Sequence, residues 1–249
     1  MNFRSLSRVA ILLSLVPLLA GWQSAAPAPQ GAKPTFATPL AEDVYNNIQL
    51  LKGSPAESVI PTMEQIRHTI GVDCSYCHVP HDWANDDKKP KQTTRQMFQM
   101  LGFIKSSYFG RQPKVSCWTC HRGDSTPAKL QLDPAASDRI ARMIDIPDAD
   151  KNKPAEQVFK NIQILKGVPA RLVPTAMAGI STSLGVRCNF CHNPDDFSSD
   201  EKDEKKTARN MMKMRGDIAS KFTLSNGFGC FTCHHGHQTP EIDEGKLVE

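Results

Sequence analysis

The sequence predicts a mainly α-helical chain with little or no β-sheet, built from two pseudo-symmetric copies of one helical module. Apolar residues recur at helical spacing in several segments, whereas no stretch alternates convincingly between apolar and polar residues as a strand would. The chain also repeats itself, because residues 43–53 match residues 157–167 with a shift of 114. A self-match over most of the chain indicates duplication of a complete structural unit.

Each module is predicted to contain three helices. In the first module we expect a helix ending near Gly53, a second ending at Gly71, and a third from 94 to about 108. A further short helix is expected at 137–144. The apolar residues that set these periods are Val44, Ile48 and Leu51 in the first helix, Met63, Ile66 and Ile70 in the second, and Met97, Leu101, Ile104 and Tyr108 in the third.

Residues 1–26 are predicted to be a cleaved secretory signal peptide. Arg4 and Arg8 precede an apolar stretch at 9–20, and small residues follow. An uncleaved membrane anchor is the alternative, but the apolar stretch is shorter than the ~20 residues that span a bilayer. Trp22 stands where a lipoprotein signal would need a cysteine, so no lipid anchor is expected. The sequence therefore predicts a periplasmic protein.

The net charge and the hydrophobic content of the chain bear on what it binds. The net charge is +4, and removal of the signal peptide deletes two arginines and no acids, which leaves +2. This balance gives no reason to expect nucleic acid binding. A hydrophobic content of 39% with 7% aromatic residues is low for 249 residues. The chain is therefore expected either to stay partly open or to bury apolar surface that its own side chains do not supply.

Every cysteine belongs to a Cys-x-x-Cys-His unit. Two thiols at this spacing can form thioether bonds to one haem, and the adjacent histidine can bind its iron. A disulfide framework gives no reason for a histidine after each pair, and zinc sites usually join pairs 15–20 residues apart, whereas these lie 39 and 38 apart. We therefore predict four covalent c-type haems, held by Cys74, Cys77 and His78, by Cys117, Cys120 and His121, by Cys188, Cys191 and His192, and by Cys230, Cys233 and His234.

Methionines are the predicted sixth ligands of the irons. Methionine ligation raises the potential of a haem, whereas an open position permits small-molecule chemistry. Met63 and Met177 each stand 11 residues before a haem cysteine at matching repeat positions, which favours ligation over a role as core filler. For the second and fourth haems helical spacing leaves two pairs of alternatives open, Met97 or Met100 and Met211 or Met214.

The chain resembles the tetrahaem cytochrome c subunit of photosynthetic reaction centres and its shorter relatives in non-photosynthetic bacteria. The resemblance covers nearly all of 40–240 and rests on the run at 158–167, the methionine 11 residues before Cys188, the sequence Ala-Arg-Asn-Met ending at Met211, and Thr-Cys-His-x-Gly. It implies Met63 and Met177 as ligands, Met97 for the second haem, and Met211 as the equivalent position. The family's fourth haem typically takes a histidine from a segment that here, at 103–116, has none. Four His/Met haems are therefore expected.

The resemblance implies electron transfer from a soluble donor to a membrane-bound acceptor such as a reaction centre. We expect no small-molecule substrate and no enzymatic activity. The alternatives are a multihaem reductase or peroxidase with one open haem, and a subunit of a haem-wire filament. The histidines outside the motifs are read as surface or propionate-contacting residues, and they are His68, His81, His235 and His237.

These observations divide the chain into six parts. They are the signal peptide (1–26), a flexible N-terminal segment (27–40), the first dihaem module (41–130), a linker (131–153), the second dihaem module (154–243) and a C-terminal tail (244–249).

Overall fold

The computed structural model describes residues 38–112, 114–224 and 227–242, with Ala136 described by its backbone alone. The predicted signal peptide, most of the predicted N-terminal segment and the predicted C-terminal tail lie outside these residues. The described part is mainly helical and contains no sheet, only isolated bridges such as those joining Leu40 to Pro55 and Pro154 to Pro169. The predicted fold class is confirmed at the level of a mainly helical protein.

Eleven α-helices occur in the described residues. They are α1 (Ala41–Val44), α2 (Val59–Ile70), α3 (Cys74–Cys77), α4 (Lys89–Tyr108), α5 (Cys117–His121), α6 (Pro134–Met143), α7 (Ala155–Val158), α8 (Val173–Leu184), α9 (Cys188–Cys191), α10 (Asp203–Lys221) and α11 (Cys230–His234). Two 3₁₀ turns, at Ala56–Ser58 and Ala170–Leu172, lead into α2 and α8.

Glycines end α2 and α8 as the sequence predicts. Gly71 and Gly185 have φ values of 66° and 65°, in the left-handed region that a residue without Cβ adopts at least cost. Each reverses the chain at the end of its helix, and a cysteine motif follows three residues later. The predicted second helix and its end are therefore confirmed.

The first predicted helix is wrong in its extent. Helix α1 stops at Val44, and the chain then turns, with Asn47 at a φ of 59° that a continuous helix cannot contain. The Glu42 carboxylate accepts a hydrogen bond from the Gly53 backbone N–H at 2.9 Å, closing this segment into a compact loop. The helical spacing of Val44, Ile48 and Leu51 was therefore misleading, because the residues after Val44 form a loop.

The two long helices, α4 and α10, share a hydrophobic core. Ile104 from α4, Ile218 from α10 and Val115 are its buried residues, and the Tyr108 hydroxyl donates a hydrogen bond to Asp217 on α10. Helix α4 starts five residues before the predicted Thr94, with Pro90 in its first turn, where a missing N–H costs nothing.

Helix α6 lies inside the predicted linker. It starts at Pro134, three residues before the prediction, because the Asp133 side chain caps it by accepting from the Ala135 N–H at 2.9 Å. Helix α6 packs on α8. The described residues form one compact unit, and the module boundaries proposed from sequence remain a prediction. Within the described ranges no helix is both long and apolar enough to cross a membrane.

Candidate haem-binding sites

Short helices carry the four cysteine motifs. Helices α3, α5, α9 and α11 each begin at the first cysteine, so the two sulfurs, three residues apart, project from one helix face. All eight cysteines have free thiols, and none forms a disulfide. Each motif therefore offers two reactive sulfurs to one side of a short helix, which is the arrangement that two thioether bonds to a single haem require.

Burial keeps several of these thiols protonated. It raises the pKa of Cys77, Cys117, Cys191 and Cys230 above the ordinary thiol value. Zinc binds the thiolate form. Within the described residues, no group of three His, Cys, Asp or Glu side chains converges as a metal site. In the described part of the chain, the thiols thus belong to no ready-made zinc cluster.

Each motif histidine is oriented by a backbone carbonyl. The Nδ1 atom lies 3.0 Å from the Trp83 oxygen in His78, 2.9 Å from the Asp124 oxygen in His121, and 3.0 Å from the oxygens of Phe197 and His237 in His192 and His234. A carbonyl only accepts, so Nδ1 carries the proton and Nε2 keeps its lone pair. This is the tautomer that an iron ligand needs.

The second and fourth motifs meet, and we call them the inner sites. Helix α5 packs on α11, and the Cys120 and Cys233 sulfurs are 3.1 Å apart. Burial and this contact raise the pKa of the Cys120 thiol. The sequence suggested no pairing between motifs of different halves.

A backbone junction ties each inner site to the helix that precedes the other motif of its half. The Gly123 N–H donates to the Thr69 oxygen, and the Gly236 N–H to the Ser183 oxygen, both at 2.8 Å. A Cβ added to Gly71 would collide with the Gly123 carbonyl, and one added to Gly185 with the Gly236 carbonyl. Glycine is therefore required at the end of α2 and α8 for space as well as for backbone conformation.

Buried polar atoms around the inner sites lack partners. Among the described residues, Trp118 Nε1, Arg122 Nε and His235 Nε2 have no hydrogen-bond acceptor or donor nearby. Such groups are costly unless something satisfies them. Haem propionates are acceptors that Trp118 and Arg122 could use, so the residues present fit the group. Burial lowers the pKa of His235, and Trp118 stacks on His68 with ring centroids 6.0 Å apart.

The first and third motifs, which we call the outer sites, are each followed by a loop that folds back over the histidine. The rings of Trp83 and Phe197 lie 5.6 and 5.0 Å from those of His78 and His192, yet are 57% and 53% exposed. The Trp83 ring is tilted against His78 and the Phe197 ring is stacked on His192, while both aromatic side chains remain open to solvent.

Ion pairs hold both outer loops closed. Asp86 pairs with Arg95 and Asp200 with Arg209, each at 2.8 Å. Hydrogen bonds from Arg95 and Asn47 lower the pKa of Asp86 well below its ordinary value. Those from Asn161 and Arg209 lower the pKa of Asp200 to about 2.

The asparagine and glutamine of the repeated Asn-Ile-Gln run anchor each loop to the preceding segment. Asn47 Nδ2 donates to the Ala84 oxygen at 2.5 Å, and Asn161 Nδ2 to the Ser198 oxygen at 2.6 Å. Gln49 and Gln163 each donate to the asparagine of their own run at 2.8 Å. The repeated run that identified the duplication therefore serves to close the two outer loops.

A cavity of about 710 Å³ lies at the first outer site, within the size range of cofactor pockets. Its lining includes Met63, Cys74, Cys77 and His78, so the predicted sixth ligand and the first attachment motif face the same space. His81 also lines it. Met177, the repeat equivalent of Met63, is half-buried on α8.

The methionine pairs on the long helices differ in their packing. Met100 and Met214 pack against the core of Ile104, Val115 and Ile218. Met97 and Met211, three residues earlier on α4 and α10, are half-buried.

Residue type revealed the cysteines, histidines and methionines, but not the carbonyls that orient the histidines, because every residue has a carbonyl and only the fold selects one.

Comparison with known proteins gives one family. The model of the photosynthetic reaction centre cytochrome c subunit matches residues 20–142 and 131–243. The chain is 29% identical to the reaction center cytochrome c subunit of Thermochromatium tepidum, over 64% of this chain and 46% of that protein. It is 24% identical to the Rubrivivax gelatinosus subunit, over 81% and 68%.

A third relative is cytochrome c-554 of Chloroflexus aurantiacus, 37% identical over 30% of this chain and 20% of that protein. The chain spans about half the length of the Thermochromatium relative.

Proposed function

We propose, from the premise that the chain belongs to the photosynthetic reaction centre cytochrome c subunit family, that it is a periplasmic tetrahaem electron carrier. Members of this family are cytochromes c, electron carriers with covalently bound haem. The finer claims are the number of haems, their ligands, the modular layout, the compartment and the partners, and each has its own support.

One observation carries the proposal of four haems. All four Cys-x-x-Cys-His motifs form short helices with free thiols, and in all four the histidine Nδ1 is bonded to a carbonyl at 2.9–3.0 Å. Four structural histidines would not need the same ring nitrogen engaged and the same one left free. The shared tautomer supports four equivalent iron-binding roles for His78, His121, His192 and His234.

Methionine is proposed as the sixth ligand at each haem. Met63 faces the cavity of the first motif, which supports its role there and, through the repeat, that of Met177. The core packing of Met100 and Met214 supports Met97 and Met211 as the other two. Methionine sulfur at every iron would close the haems to substrates and favour the ferrous state.

The proposed arrangement is two dihaem modules, 41–130 and 154–243, joined through their inner sites. Helix α2 packs on α5, α5 on α11 and α11 on α8, which supports a path through the first, second, fourth and third motifs in that order. The proposed partners are a soluble electron donor and a membrane-bound acceptor such as a reaction centre, because the relatives are named as reaction centre subunits.

Haem stoichiometry and carbon monoxide binding test the proposal together. We expect the intact mass of the secreted holoprotein to exceed that of the polypeptide by four haems, and the reduced protein to bind no carbon monoxide. Replacement of His121 by Ala should create one carbon monoxide-binding haem and serves as the positive control. Fewer than four haems, or rapid binding by the unaltered protein, would contradict the tetrahaem carrier.

A further inference from the structure

A lysine shares the carbonyl that orients each outer histidine. The Trp83 oxygen accepts a hydrogen bond from His78 Nδ1 at 3.0 Å and a second from Lys91 Nζ at 2.9 Å. The same pair of contacts occurs in the second half of the chain. The Phe197 oxygen accepts from His192 Nδ1 at 3.0 Å and from Lys205 Nζ at 2.9 Å.

Both ammonium groups are largely buried, and each makes two hydrogen bonds and one ion pair. The side chains of Lys91 and Lys205 are 11% and 10% exposed, and lysine is almost never this buried unless it is paired. Lys91 Nζ also donates to the Asn85 oxygen at 2.7 Å and lies 3.1 Å from Asp86. An ammonium has three N–H donors. Two carbonyls therefore accept hydrogen bonds from Lys91, and the Asp86 carboxylate faces its charge as an ion pair.

Lys205 has the same three kinds of partner. Besides the Phe197 oxygen, its Nζ donates to the Ser199 oxygen at 2.8 Å and lies 3.4 Å from Asp200. Recurrence of a complete three-partner site at the same place in both halves indicates a built position for a cation beside the histidine. A solvated surface lysine would not repeat these contacts.

The inner sites differ in this respect. His121 and His234 use the carbonyls of Asp124 and His237, and within the described residues no lysine donates to either oxygen. The lysine contact therefore distinguishes the outer motifs from the inner ones, although all four histidines make the same Nδ1 bond.

We propose that Lys91 and Lys205 are positioning residues that raise the reduction potentials of the first and third haems. The proposal rests on haem binding by His78 and His192. A carbonyl that bonds to an ammonium has less electron density to offer the histidine N–H, so the imidazole becomes a weaker donor to ferric iron. Hydrogen bonding behind an axial ligand is one of the ways a protein sets haem potential. The nearby positive charge acts in the same direction.

The role of the two lysines is tested by redox titration of the purified holoprotein, with the potential of each haem measured separately. In each half of the chain, a variant of the lysine behind the histidine is compared with a variant of a neighbouring lysine. Lys91→Met removes the ammonium with little change in shape. Lys88→Met removes the same charge from a neighbouring lysine whose Nζ donates to the Ser75 oxygen, within the same motif but not behind the histidine. In the second half, Lys205→Met is compared with Lys202→Met, since Lys202 Nζ donates to the Asn189 oxygen at 2.5 Å.

We expect Lys91→Met to shift the equilibrium of the first haem toward the ferric form by about three- to tenfold. Tenfold corresponds to about 59 mV for one electron. The other three haems and the Lys88→Met protein should change less than about twofold, since surface charge is screened. Lys91→Arg, which keeps the charge and the donors, should restore most of the potential.

An unshifted first haem in Lys91→Met, with methionine ligation intact, would overturn the proposal, as would an equal shift in Lys88→Met. If Lys91→Met fails to load haem, Asp86→Asn provides a second test. It leaves the ammonium less neutralised and should raise the potential of the first haem; no change or a fall would overturn the proposal. Haem content and ligation of the unaltered protein are measured alongside, so failure of the tetrahaem assignment is separately visible.

Discussion

The outer and inner Cys-x-x-Cys-His motifs orient their histidines in the same way, but different groups surround them. All four orient a histidine through Nδ1, but His78 and His192 use a carbonyl five residues later, whereas His121 and His234 use one three residues later. The longer loops of the outer sites carry an exposed aromatic ring, a buried lysine and an ion pair. Within the described residues no lysine donates to the carbonyl that orients an inner histidine, and the inner motifs instead pack against each other.

This difference shows how one duplicated motif acquires two environments. At the outer sites polar groups from the chain's own loop surround the histidine and place charged side chains beside it. At the inner sites the motif from the other half of the chain provides the surroundings, as the 3.1 Å contact between the Cys120 and Cys233 sulfurs illustrates. The outer motifs are therefore expected to respond to loop mutations and the inner ones to mutations at helix junctions.

The largest effect is expected at the proposed ligands of the inner haems. Met211→Ala should leave the fourth iron open, because the other candidate on α10, Met214, packs against the core. One haem per protein should then bind carbon monoxide rapidly in the reduced state, and stopped-flow spectroscopy measures this directly.

Met214→Ala is the matched control, one helical turn further along α10. Because Met214 packs against the core, its loss should cost about 2 kcal/mol of unfolding free energy while all haems stay closed. Carbon monoxide binding by Met214→Ala but not by Met211→Ala would reverse the assignment.

The next largest effect is expected from a glycine-to-alanine change at the junction between an outer and an inner site. Gly71→Ala combines a left-handed backbone with a collision at the Gly123 carbonyl, and should cost about 2–4 kcal/mol. Chemical denaturation of the holoprotein measures the loss.

Gly102→Ala, inside α4 with open space around the added methyl group, is the control for Gly71→Ala. It should instead stabilise the protein by about 0.5–1 kcal/mol. Equal effects at the two glycines would show that the junction does not constrain the fold.

The helices of the inner motifs, α5 and α11, are capped by a threonine, whereas α3 and α9 of the outer motifs are not. A smaller effect on stability is expected from loss of this cap. Thr119 is buried, and its Oγ1 accepts a hydrogen bond from the Ser116 N–H at 3.0 Å. Thr119→Val should cost about 1–2 kcal/mol because the Ser116 N–H loses its partner. Thr207→Val, at an exposed position of α10, should change stability by less than about 0.5 kcal/mol. A neutral Thr119→Val would mean that this cap contributes nothing.

The smallest effect is the acid response of the outer loops. The Asp200 pKa is lowered to about 2 from its ordinary 3.8, so its contribution is present above pH 4 and is lost as the pH falls through 2. Unfolding free energies of the native protein should therefore fall between pH 4 and 2 more steeply than those of Asp200→Asn. Parallel curves for the two proteins would contradict the role of this carboxylate.

The sequence predicted the parts of this molecule that depend on residue type and spacing. The four motifs, the helix ending at Gly71 and the long helix through Ile104 all follow from local patterns. The helix expected to end at Gly53 stops at Val44, because the Glu42 and Asn47 side chains bond the backbone of a loop instead. Such side-chain contacts span up to 37 residues and leave no periodic signal.

Contacts between the two copies were equally invisible in the sequence. Nothing in the spacing of the motifs pairs the second with the fourth, and a lysine such as Lys205 looks like any other charge on an amphipathic helix. Its burial depends on a carbonyl at Phe197 that residue type cannot identify. The sequence therefore indicated what the sites contain, and the fold determined which of them are neighbours.

The most direct test of the central claim is near-infrared magnetic circular dichroism of the oxidised holoprotein, with intensity measured per haem. We expect all four haems to have His/Met ligation, with Met63, Met97, Met177 and Met211 as the sixth ligands. A bis-histidine signal, or a high-spin signal from an open iron, at any one haem would contradict it.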